Sequence, residues 1–152
     1  MERRPRRHAR RPSGRVEHRV ILVDSSAWIA YLRGVDTPVV DRLDRLIGSG
    51  AELAITEPVI MELLAGARKP RELARVEALA NGLLLAPLAP MTDFRDAAEL
   101  YRASAVNGHP IRSMTDCLIA AVAIRRGLSL LHDDRDFAFL AEISPLRLDS
   151  RA

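Results

Sequence analysis

The chain has 152 residues, the size of one ordinary domain, and a formal net charge of +3 that its arginine-rich start distorts. Residues 1 to 20 hold eight arginines against Glu2 and Glu17, so the remaining 132 residues carry 15 basic and 18 acidic groups, a mildly acidic domain behind a basic tail. One cysteine, Cys117, excludes an internal disulfide framework and a cysteine-based zinc site, and no apolar run reaches the length of a membrane span or a signal peptide core, so a soluble cytoplasmic protein is expected.

Residues 1–19 are rich in Arg and Pro and poor in apolar residues, so they are read as an extension that does not fold alone. Three origins are open for it: a start codon placed upstream of the true one near Val20, an arm that strengthens RNA binding by charge, or a contact segment for a protein partner. The domain itself is expected over residues 20–152.

It opens with an apolar run, Val20 to Val23, that reads as a buried strand. Asp24, Ser25 or Ser26 then starts a helix that stops near Gly34. A second helix is expected from Thr37 as cap and Pro38 in the first turn to Gly48, with apolar positions at Val39, Val40, Leu43, Leu46 and Ile47. "ELAIT" reads as a strand running into a helix capped by Thr56, "RELARVEALA" as a helix, and "LLLAPLA" as a strand. Next come a helix ending near Asn107 and Gly108, and an apolar helix through "SMTDCLIAAVAIRRG" with stop signals at Arg125, Arg126 and Gly127. "LSLLH" reads as a strand, the Asp cluster after it as the start of a short helix, and "SPLRLD" as a last element.

Alternating short apolar strands and helices predict an α/β fold, a parallel sheet flanked by helices with right-handed crossovers. In such sheets chemistry sits beyond the carboxyl ends of the strands. Asp24 follows the first strand and Asp134 follows "LSLLH", Asp116 lies in the first turn of the apolar helix, and Glu62 lies in the helix leaving the second strand. Four segments could thus bring carboxylates to one cleft.

Each acid also has a structural reading. Asp24 and Asp134 could be helix caps, and Ser113 and Asp116 form the S-x-x-D pattern of a capping box. Glu62 resists such an account, being too deep in its helix to cap it and having Gly66, not a basic residue, four positions on. Gathered carboxylates raise one another's pKa unless a hard cation such as Mg²⁺ or Mn²⁺ holds them ionised. Ions so held activate water and stabilise the leaving oxygen of a phosphodiester. His109 and His132 are isolated in sequence and lack zinc-ligand spacing.

"VILVDSSAWIAYLRG", "PVIMELLAG", "IRSMTDCLIAAVAIRRG" and "LLHDDRDFAFLA" resemble, in order, the acidic motifs of PIN-domain ribonucleases, in particular the VapC toxins of bacterial toxin–antitoxin pairs. The resemblance covers residues 20 to about 148. It implies an α/β/α sandwich around a parallel sheet, and Mg²⁺- or Mn²⁺-dependent cleavage of RNA that leaves 5′-phosphate and 3′-hydroxyl ends. Carried over to this chain, Asp24, Glu62, Asp116 and Asp134 are the acidic quartet that binds metal. Asp136 assists, with Asp134 preferred as the ligand and Asp133 in a variable place. Ser26 matches a hydroxyl near metal and phosphate, a role that competes with helix capping. Arg112 is a candidate for substrate phosphate, and a solvated surface Arg is the competing reading. The resemblance further implies a homodimer and a small VapB antitoxin whose C-terminal basic residue enters the acidic cleft. Which RNA is cut, a tRNA, a ribosomal RNA loop or a messenger, is not legible.

Other classes fit less well. A phosphoacceptor receiver needs a lysine after a late strand, and the only lysine is Lys69, in a helix. A haloacid-dehalogenase-type phosphatase needs D-x-D where this chain has Asp24, Ser25 and Ser26. A non-catalytic PIN module binding RNA or protein is the remaining alternative.

Overall fold

The computed structural model describes residues 19–149, so the expected extension lies outside the described residues except for Arg19. Five strands form one parallel sheet: β1 (Ile21–Val23), β2 (Leu53–Ile55), β3 (Leu84–Leu85), β4 (Ser129–Leu131) and β5 (Arg147–Leu148), in the order β3-β2-β1-β4-β5. Among the described residues seven helices fill the crossovers: α1 (Ser25–Leu32), α2 (Pro38–Gly48), α3 (Glu57–Gly66), α4 (Pro70–Gly82), α5 (Pro90–Val106), α6 (Met114–Arg126) and α7 (Arg135–Glu142). This is the α/β/α layering that the alternation predicts.

The central strands β1 and β2 are apolar throughout because both their faces are covered. Leu22, Val23, Leu130 and Leu131 are wholly buried, and so are Ile119, Ala120 and Val122 of α6. The buried alanines of α6 leave room for close packing, most extensively against α5. The end of α6 is set by Gly127, whose φ of 65° is the left-handed conformation that closes a helix and that only glycine adopts without strain.

Two expected details differ. "LLLAPLA" yields only the two exposed residues of β3, an edge strand, before Pro87 and Pro90 divert the chain. Thr56 stands at the N-cap of α3 but its side chain accepts no cap hydrogen bond; its hydroxyl donates to Glu57 Oε2 at 3.3 Å. Among the described residues no helix is long and apolar enough to cross a membrane.

The order of strands reverses between β1 and β4. The chain moves outward from β1 through β2 to β3, then returns to lay β4 on the other side of β1. That switch point opens a crevice at the carboxyl edge. The register Val23↔Leu131 makes Asp24 and His132 the first residues past the two strands, and Asp24 N donates to Leu131 O at 2.9 Å.

Candidate active site

The acids of the switch point are held by local turn chemistry. Asp24 caps α1, its Oδ2 accepting from Ser26 N at 2.9 Å and Ser26 Oγ at 2.6 Å. Asp134 caps α7 in the same way, its Oδ1 accepting from Asp136 N at 3.0 Å. Its own N–H donates to His132 Nδ1 at 3.1 Å, so that imidazole is engaged by backbone.

Asp116 arrives on the first turn of α6, which runs against the strands and so starts at their carboxyl edge. Ser113 Oγ accepts from Asp116 N at 3.3 Å, half of the expected capping box. The Asp116 carboxylate does not return the bond; it joins Asp134 and Asp136, and one oxygen from each of the three lies within 4.8 Å of the others. Glu62 is reached by Ser25, whose Oγ donates to Glu62 Oε1 at 3.1 Å.

Among the described residues none of these five carboxylates is paired with Arg or Lys. Their electrostatics follow from that. Burial, with Glu62, Asp24 and the Asp pair of α7 adding repulsion, pushes Asp116 up to about 7. Burial also raises Asp24, against the hydrogen bonds from Ser26, and Glu62, against the bond from Ser25. Asp24 Oδ1 is buried and has no hydrogen-bond partner among the described residues. A buried carboxylate oxygen without a partner, on an acid electrostatically coupled to Asp134, is compatible with a hard divalent cation.

The model of the PIN domain matches residues 21–143, nearly the whole described chain. The chain belongs to the PIN-domain family. Within the family it is 40% identical over 132 residues to a VapC ribonuclease of Mycobacterium bovis and, at the same identity, to ribonuclease VapC11 of Mycobacterium tuberculosis. Each of these alignments covers 86% of this chain and 98% of the relative. Among solved structures, VapBC2 from Rickettsia felis bound to promoter DNA has a TM-score of 0.68 at 18% identity, covering 86% of this chain and 97% of that one. VapC20 of Mycobacterium tuberculosis, a Sarcin-Ricin loop cleaving toxin, has a TM-score of 0.59 at 21% identity, covering 78% and 93%. These likenesses agree with the PIN fold read from the sequence.

In this PIN domain the expected residues do not all stand alike. Asp24, Asp116, Asp134 and Asp136 gather at the switch point, with Glu62 on the α3 side coupled electrostatically to Asp24 and Asp116. Asp134 and Asp136 both lie in the oxygen cluster, and Asp136 is the more buried. Ser26 is fully engaged: besides donating to Asp24 it accepts from Asp133 N at 2.9 Å. Arg112 is exposed on the loop before α6 and makes no hydrogen bond or ion pair among the described residues. Trp28, one turn beyond Asp24, is 1% exposed and belongs to the core.

Two contacts were not legible in the sequence. Ser25, a candidate helix start in the sequence, donates to Glu62, and His109, isolated in sequence, places Nε2 3.3 Å from Asp136 Oδ1. A serine directly after a strand-end Asp is a faint signal for the first. Nothing in the sequence flags the second.

Proposed function

We propose that the chain is the toxin of a toxin–antitoxin pair, an endoribonuclease that hydrolyses RNA phosphodiester bonds with Mg²⁺ or Mn²⁺. The reading is carried by the switch-point carboxylates: three with oxygens within 4.8 Å, beside a buried Asp24 whose Oδ1 has no partner among the described residues. The family and its ribonuclease relatives support the same chemistry.

Asp24, Asp116, Asp134 and Asp136 would hold the cation, with Glu62 at the edge of the set. When bound, a divalent cation of this kind supplies an activated water and neutralises charge on the reacting phosphate. The chain contributes the rest. Ser26 orients Asp24, Ser25 orients Glu62, and the exposed Arg112 is the proposed contact for a substrate phosphate. Cleavage of the P–O3′ bond by water gives a 5′-phosphate and a 3′-hydroxyl.

The proposed partner is a small VapB-type antitoxin, and the proposed assembly a homodimer. A groove of roughly 400 Å³ lined by Ile29, Leu32, Leu63 and Val76, with Arg33 and Arg75 on its rim, runs up to Glu62. An apolar segment ending in a basic side chain fits it, because a guanidinium placed among these carboxylates competes for the oxygens a metal would use. Residues 20–152 are proposed as the catalytic domain, acting in the cytoplasm.

The test incubates the full chain, freed of any partner, with end-labelled total RNA in Mg²⁺, Mn²⁺ or EDTA, beside Asp24→Asn and Asp116→Asn. Discrete metal-dependent cuts that both variants lose support the nuclease. No cutting by the wild type, with no metal uptake by calorimetry, leaves a non-catalytic binding module. Co-expression with the product of the adjacent small gene, and light scattering of the purified chain, test the antitoxin and the dimer.

A further inference from the structure

His109 reaches the acidic centre from a segment that carries none of its acids. It follows Gly108 in the turn after α5, and its backbone N–H donates to Ser104 O at 3.0 Å. Its ring stacks on Phe139 of α7, with centroids 4.3 Å apart and planes inclined by 26°. That stack directs Nε2 to Asp136 Oδ1 at 3.3 Å. An ionised carboxylate only accepts, so the contact requires the hydrogen on Nε2. Among the described residues no other group hydrogen-bonds this carboxylate, although Asp136 is only 5% exposed and shares an oxygen cluster with Asp116 and Asp134.

We infer that His109 is a positioning residue: clamped on Phe139, it fixes the rotation of the Asp136 carboxylate relative to those of Asp116 and Asp134. The inference rests on the proposed metal-dependent reading. Three like charges in one cluster repel, and a carboxylate with a free χ2 turns away from its neighbours. A donor on Oδ1 holds it in place. Outer partners of metal ligands typically contribute 10- to 100-fold in metal affinity.

Two variants separate the donor from the ring. His109→Phe keeps a ring on Phe139 and removes the N–H; His109→Gln places an amide N–H near the position of Nε2 and gives up the stack. With its side chain 44% exposed, residue 109 accommodates either. Calorimetric titration of the metal-free full chain with Mn²⁺ is expected to show His109→Phe weakened by about 10- to 100-fold, with His109→Gln recovering most of the loss. The Mn²⁺ concentration giving half-maximal RNA cleavage shifts in parallel, while thermal unfolding in EDTA stays near wild type. Wild-type affinity in His109→Phe overturns the inference, and so does a His109→Gln variant as weak as His109→Phe. A wild-type chain that takes up no Mn²⁺ overturns the metal reading itself, and this inference with it.

Discussion

Ser26 and Asp133, 107 positions apart, are joined by a hydrogen bond of 2.9 Å from the Asp133 N–H to the Ser26 hydroxyl. The same hydroxyl donates to Asp24 Oδ2 at 2.6 Å. One oxygen thus ties the turn after β1 to the turn after β4, across the crevice where the acids meet. Ser26→Ala removes both bonds. RNA cleavage is expected to fall at least tenfold, with a stability loss of about 1–2 kcal/mol by urea unfolding. Ser26→Thr keeps the hydroxyl and restores most of the activity; equal activity in Ser26→Ala would show that the hydroxyl is dispensable.

The metal-free site is destabilised by its own charge, so neutralising one member should stabilise the fold while destroying the function. Asp24→Asn keeps an acceptor for Ser26 and removes a buried charge that raises Asp116 and Glu62. In EDTA its melting temperature is expected to rise by a few degrees, on the order of 1 kcal/mol. Cleavage is expected to drop by two orders of magnitude or more, about 3 kcal/mol in transition-state terms. A lower melting temperature in EDTA would contradict the charge argument.

The pH dependence has a defined sign. Asp116 is raised from 3.8 to about 7 in the folded chain, so between these values the folded state keeps a proton that the unfolded state releases. Its contribution to stability is complete below about pH 4 and is lost as pH rises through about 7. Asp24 and Glu62, also raised, act in the same direction. In EDTA, the melting temperature should therefore fall as pH climbs through neutrality. Millimolar Mn²⁺ should flatten or reverse that fall, because binding favours the ionised carboxylates and releases protons. Scanning fluorimetry from about pH 4 to about pH 8, with and without Mn²⁺, measures both.

Two bidentate arginine pairs make a contrasting prediction. Arg125 in the last turn of α6 donates to Asp93 Oδ1 at 2.7 Å and Oδ2 at 3.0 Å, and Asp93 is fully buried in the first turn of α5. Arg42 of α2 grips Asp149 after β5 at 2.8 and 3.0 Å, with a carboxylate 10% exposed where that of Asp93 is fully buried. Arg125→Ala leaves a buried carboxylate without its ion pair and is expected to cost about 3 kcal/mol; Arg42→Ala about 1 kcal/mol. Neither should alter Mn²⁺ affinity. Equal losses in urea unfolding would mean that burial does not distinguish the pairs.

The sequence by itself determined the order of elements and the acids at their ends. Strands with both faces covered are continuously apolar, and Thr37, Pro38, Ser113 and Gly127 mark helix ends through bonds spanning a few residues. Asp24 and Asp134 could be placed at one sheet edge because each directly follows an apolar run, and parallel strands present the same end. Only the tertiary structure decided how the acids are held. The pairing of Ser25 with Glu62, of Ser26 with Asp133 and of His109 with Asp136 joins residues 37, 107 and 27 positions apart. So did the equal standing of Asp136 with Asp134 in the oxygen cluster, which depends on where α6 sets Asp116 against α7. Periodicity and capping chemistry are local, whereas these contacts exist only once every crossover has packed onto the sheet.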